Sequence, residues 1–187
     1  GGGVNLLEER EGKTRFRSAK NGLDGYPINS CHRVRTLNED NEGRIWDGTT
    51  EGVVVMTYDE QRRDVVTEVH RKTVDSPASI SSNDIIQIYK AGDQTLWLAT
   101  VAGGLNRFMG WDAAGHPIYR AYTVQDGLSS NDIKSIVEDR EGILWFATDQ
   151  TICSFAPGSE ILSSLAWQDG VGGTIFSEST AVTLATG

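Results

Sequence analysis

The side chains that could perform chemistry are scattered along the chain. His32, His70 and His116 stand far apart, and no histidine pair has metal-ligand spacing. Neither a Gly-x-Ser-x-Gly elbow nor a glycine-rich phosphate loop occurs. Two carboxylate pairs, Glu39-Asp40 and Glu138-Asp139, have the composition of an acid–base couple or a calcium site. Both sit in a recurring turn, Glu39-Asp40-Asn41-Glu42-Gly43 and Glu138-Asp139-Arg140-Glu141-Gly142, so solvated turn residues are the preferred reading. No catalytic residue, metal or cofactor is expected.

Binding is better represented. His32, Asn83 and Asn131 recur at one phase of the sequence, followed at once by Arg33, Asp84 and Asp132. If the repeats close around an axis, these polar groups lie at one rim of the central channel, where they could hydrogen-bond sugar hydroxyls. Turn residues that cap their own backbone are the preferred alternative. Trp111, in Met109-Gly110-Trp111-Asp112, falls outside the repeat and reads as an exposed loop aromatic available to a ligand or partner. Trp167 also breaks the pattern.

The elements that position these residues follow from the repeat. Ile45-Trp46-Asp47-Gly48-Thr49, Leu96-Trp97-Leu98-Ala99-Thr100 and Leu144-Trp145-Phe146-Ala147-Thr148 superpose, with tryptophans 51 and then 48 residues apart. Upstream, Val34 and Leu37 align with Ile85 and Ile88 and with Ile133 and Ile136. Ser81-Ser82-Asn83-Asp84-Ile85 mirrors Ser129-Ser130-Asn131-Asp132-Ile133. Each copy reads as four short strands. The first spans 33–39, 84–90 and 132–138, and the tryptophan segment is the second. The third spans 52–58, 103–108 and 150–155, and the fourth spans 64–72, 117–124 and 161–168. No amphipathic helix is predicted. The fold class is therefore all-β: a β-propeller fragment of about four blades of four antiparallel strands, with a repeat of roughly 50 residues.

The expected divisions are 1–24 (third and fourth strands of a cut blade), 25–75, 76–125 and 126–170 (three blades), and 171–187 (first strand of a cut blade). The two cut pieces either share a blade or stay open, and a homodimer that completes them is a second possibility. Trp46, Trp97 and Trp145 are read as packing between neighbouring sheets, with a backbone carbonyl as a suitable indole partner. Thr49, Thr100 and Thr148 are read as strand residues whose hydroxyls satisfy nearby backbone. Cys31 and Cys153, with no Cys-x-x-Cys, are read as two buried thiols. A formal charge of −9 excludes sequence-independent binding to nucleic acid or to an anionic membrane surface.

The stretch from Gly127-Leu128-Ser129-Ser130-Asn131-Asp132-Ile133 to Glu138-Asp139-Arg140-Glu141-Gly142-Ile143-Leu144-Trp145-Phe146-Ala147-Thr148 resembles the two-component regulator propeller repeat. The copy at Trp46 departs from it with His32-Arg33 in place of Asn-Asp, and the copy at Trp97 lacks the Glu-Asp turn. The resemblance implies a periplasmic sensor segment that binds an oligosaccharide and signals to a histidine kinase elsewhere in a longer protein. A protein-interaction propeller is the alternative, and a hydrolase or lyase propeller would need channel carboxylates or metal ligands.

Overall fold

Runs of β-branched and aromatic residues end at tight turns throughout the chain, and each is too short to bury a face without neighbours. The structure, a computed structural model, describes residues 2–149, 151–165, 177–178 and 181–182. β1 (Asn5–Arg10) and β2 (Lys13–Ser18) form an opening hairpin. β3 (Val34–Glu39), β4 (Ile45–Thr49), β5 (Gly52–Asp59) and β6 (Asp64–His70) form the first blade. β7 (Ile85–Lys90), β8 (Leu96–Thr100), β9 (Leu105–Trp111) and β10 (Pro117–Tyr122) form the second. β11 (Ile133–Glu138), β12 (Leu144–Thr148), β13 (Ile152–Ala156) and β14 (Ile161–Leu165) form the third. Every blade is an antiparallel meander, and β7 lies beside both β3 and β11, as inner strands do around a propeller axis. The strand predicted within 171–187 and Trp167 lie outside the described residues.

Inner strands of successive blades are joined by side chains rather than by a ladder. The Ile88 N–H donates to Thr36 Oγ1 at 3.3 Å, and Asn38 Nδ2 donates to the Ile88 carbonyl at 3.2 Å. One seam further on, Gln87 takes the Ile136 N–H at 2.8 Å and donates to its carbonyl at 3.1 Å. Each seam also has its own apolar cluster. Leu23, Tyr26, Cys31 and Met56 pack where the opening hairpin meets the first blade. Trp46, Ile80, Ile85 and Tyr119 fill the next seam, and Trp97, Ile133, Phe146 and Phe155 the one after. Both cysteines are free and buried.

One strand differs from expectation. β9 continues to Trp111 instead of stopping at Phe108, because Gly110 takes φ 108° and a register shift lets the strand absorb Met109 as a bulge. Trp111 is therefore a half-buried strand residue, and the predicted exposed loop is not there.

Candidate functional site

The recurring indoles are held by their own hairpin turns. Trp46 Nε1 donates to Asp40 Oδ2 at 2.8 Å and Trp145 Nε1 to Asp139 Oδ2 at 2.7 Å, each six residues upstream. The other oxygen of each carboxylate caps the turn, taking Glu42 N and Arg44 N in one case and Glu141 N and Ile143 N in the other. Burial alone would raise Asp40, but the indole, Arg44 and the turn amides outweigh it and hold the carboxyl below its ordinary value. Asp139 is lowered chiefly by the Trp145 indole. These aspartates are therefore structural brackets rather than solvated turn residues, and the indole partner is a carboxylate rather than a backbone carbonyl. The second repeat has Ala91 at this place, and the buried Trp97 Nε1 has no hydrogen-bond partner among the described residues.

Across the seam each indole meets a phenylalanine of the next blade: Trp46 and Phe108 lie 4.7 Å apart and Trp97 and Phe155 5.4 Å apart, edge to face. Trp145 is only half-buried, because no further blade covers it among the described residues. The threonine hydroxyls bond backbone as expected, Thr49 to Gly52 O, Thr100 to Gly104 O and Thr148 to Thr151 O.

The rim residues fasten each blade to the one before. The carbonyls of His32, Asn83 and Asn131 accept from Gly3, Gly52 and Gly104, at 3.2, 2.7 and 2.8 Å. Asn83 Oδ1 takes Lys72 N at 2.7 Å, and Asn131 Oδ1 takes Val124 N at 2.9 Å. Asp132 Oδ1 takes Ala102 N, and Asp84 pairs with Arg35 at 3.2 Å. One side-chain oxygen each of Asn83, Asn131 and Asp132 is therefore committed to the chain itself. Arg33 is exposed.

A second polar group, unmarked by the repeat, lies at the outer seam between the first and second blades. His70 ends β6 at 3% exposure, its Nδ1 against the buried Tyr119 hydroxyl and its ring packed edge-on to Trp46 and Trp111. Tyr119 has one proton and no other acceptor among the described residues, so it donates to Nδ1 and leaves the second proton on Nε2. Burial pushes the imidazole down to about 4, so it is neutral at physiological pH. Among the described residues Nε2 has no aligned hydrogen bond, although Glu68 Oε1 stands 3.2 Å away. Burial raises Glu68, and the charges of Arg44 and His116 offset part of that. The Arg44 guanidinium lies 5.3 Å over the Trp111 ring, so Trp111 is engaged within the seam. Among the described residues, no group of three or more His, Cys, Asp or Glu side chains is placed to hold a metal.

Residues 127–150 match the two component regulator propeller family. The extracellular domain of BT3049 from B. thetaiotaomicron, described as a hybrid two component system, is similar at 26% identity with a TM-score of 0.65. The extracellular domain of BT4673 from B. thetaiotaomicron, described as a one component system, has the same fold at 24% identity and a TM-score of 0.65. The chain is covered to 82% and 92% by these two matches and spans 19% and 24% of the partner chains. Virginiamycin B lyase from Staphylococcus aureus shares the fold alone, at 12% identity and a TM-score of 0.51, over 76% of this chain and 43% of that one. No curated protein sequence matches.

The stretch matched at 127–150 supplies a standard against which the other two blades can be measured. The first blade keeps the aspartate–indole bracket and the glycine turn but replaces the residue after tryptophan by a charge. Asp47 is wholly buried where the other copies carry Leu98 and Phe146. The Tyr26 hydroxyl lies 2.6 Å from both Asp47 Oδ2 and the Cys31 carbonyl. One phenolic proton cannot serve both acceptors at once, so the Asp47 carboxyl and the Cys31 carbonyl compete for it. Burial pushes the Asp47 carboxyl up to about 6, with the tyrosine bond acting against the rise.

Proposed function

We propose that this chain is a segment of the extracytoplasmic ligand-sensing propeller of a two-component receptor, and that its ligand is a carbohydrate. The receptor part rests on one observation, the 26% identity over 82% of the chain to an extracellular domain of that class. On this reading the segment works in the periplasm by binding rather than by catalysis, and a kinase lies elsewhere in the protein. The carbohydrate part is supported by chemistry: a net charge of −9 disfavours polyanionic ligands, while clefts lined by hydroxyl, carboxylate and aromatic groups suit a neutral polyol.

A protein partner is favoured by a different feature. Leu7 and Phe16 face each other across the opening hairpin and are 52% and 61% exposed. The two readings separate in a thermal-shift screen of the chain against xylo-, manno- and gluco-oligosaccharides. Saturable stabilisation by one class supports sugar sensing. A flat response across the screen contradicts it and leaves the apolar hairpin as the working surface.

A further inference from the structure

The two outer seams differ at matching positions. Val53 pairs with His70 in the first blade and Leu105 with Tyr122 in the second, so His70 corresponds to Tyr122 and Glu68 to Arg120. At the seam between the second and third blades, Arg120 Nη1 lies 2.9 Å from Glu160 Oε1 and Tyr122 donates to the same oxygen at 3.1 Å. That seam is stapled shut. At the seam between the first and second blades the basic residue is replaced by the acidic Glu68, and the only ion-pair candidate beside it among the described residues is the neutral His70. In place of a staple there is a cleft of about 360 Å³ whose lining includes Glu68, His70, Arg71, Ser76, His116 and Tyr119.

That cleft holds an unusual pair of groups. The His70 side chain is 1% exposed and its Nε2 has no aligned partner among the described residues, while the Glu68 carboxylate next to it is about half exposed. A buried N–H left unpaired is a standing cost that a ligand oxygen would relieve. A donor and an anionic acceptor 3.2 Å apart match the span of neighbouring hydroxyls on a pyranose ring. Arg71, which also lines the cleft and bonds the Glu51 carbonyl and the Cys31 sulfur, sets a positive charge against that of Glu68, so the cleft carries no excess charge that would select an ionic ligand over a neutral one. Glu68 also lines a second groove, of about 580 Å³, with Arg44, Thr57, Val66 and Trp111, giving room for a further sugar unit.

We propose that the seam between the first and second blades binds a vicinal diol of a neutral sugar, Glu68 accepting from the hydroxyls and His70 Nε2 donating to one of them. This inference rests on the carbohydrate reading above and adds the place and the groups. The oligosaccharide giving the largest thermal shift is titrated calorimetrically into the wild-type chain, Glu68→Gln and Glu68→Ala, with Arg120→Ala as a control at the stapled seam. Imidazole nitrogen spectra are recorded in parallel. Glu68→Ala is expected to weaken binding roughly 10- to 100-fold, Glu68→Gln less, and Arg120→Ala not at all, with the His70 Nε2 signal shifting on saturation. Unchanged affinity in Glu68→Ala, or a His70 signal that does not move, overturns this site while the carbohydrate reading stands. Failure of every oligosaccharide to bind overturns both.

Discussion

Replacing Asp40 by alanine tests the bracket that fixes the first-blade indole. In the wild type, Asp40 Oδ2 takes Trp46 Nε1 at 2.8 Å, and Oδ1 takes the Glu42 and Arg44 amides at 2.9 Å each. Trp46 is 0% exposed, so truncation leaves its N–H with neither carboxylate nor water, a penalty of about 1–3 kcal/mol. The turn amides lie nearer solvent and find water, so Asp40→Ala is expected to cost about 2–3 kcal/mol in all. Asp40→Asn retains one oxygen and is expected to cost about 1 kcal/mol. The opposite arm uses the repeat in which the bracket is missing: Ala91→Asn offers an acceptor to the unpaired Trp97 Nε1. Asparagine avoids repulsion with Glu138, whose carboxylate already takes the Gly92 amide. Its expected gain is about 1 kcal/mol. Urea unfolding measures the stabilities, and the indole N–H cross-peaks report which tryptophan has lost its acceptor. An Asp40→Ala loss below about 0.5 kcal/mol, with the Trp46 indole signal unmoved, would refute the reasoning.

Gln94 takes φ 72° where the other turns place Gly43 and Gly142 at 74° and 78°, so Gln94→Gly is expected to raise stability by about 1 kcal/mol in urea unfolding. Asp47, ordinarily at 3.8, is raised to about 6, so the fold favours its neutral form. Its contribution is whole below about pH 4 and is lost as pH rises through 6, a cost near 3 kcal/mol at pH 7. His70 has the opposite sign: lowered from 6.5 to about 4, it favours folding above pH 6.5 and loses that contribution, again near 3 kcal/mol, as pH falls toward 4. The two slopes oppose each other in the wild type. Asp47→Asn is therefore expected to be more stable at pH 7 and to lose stability steadily on acidification, and a flat profile from pH 7 to 4 would count against it. Trp97→Ala is expected to cost roughly 3–5 kcal/mol and Trp145→Ala clearly less, since among the described residues only the former is wedged between two blades.

The architecture was legible because packing between identical sheets imposes one side chain at one phase. The tryptophans therefore announce themselves at a regular interval in all three blades, and the glycine turns and the Ser-Asn-Asp corners in two of the three. The aspartate six residues before Trp46 and Trp145 was equally visible, but its bond to the indole depends on the turn folding back, which spacing alone does not convey. Trp111 was misplaced because Gly110 resembles a loop breaker, and only the pairing of β9 with β10 shows a bulge that lets the strand continue. The His70, Tyr119 and Glu68 group left no periodic signal. It arises where the outer strands differ from blade to blade, and the contact of His70 with Tyr119 spans 49 residues.

A double-mutant cycle on Trp97 and Phe155 tests most directly whether successive sheets are wedged together by the recurring indoles. The rings belong to different blades, 5.4 Å apart and edge to face. Trp97→Ala, Phe155→Ala and the double variant are unfolded in urea under one set of conditions. A coupling of about 1 kcal/mol or more is expected. Additivity within about 0.3 kcal/mol would contradict the wedge and with it the packing of these blades around a common axis.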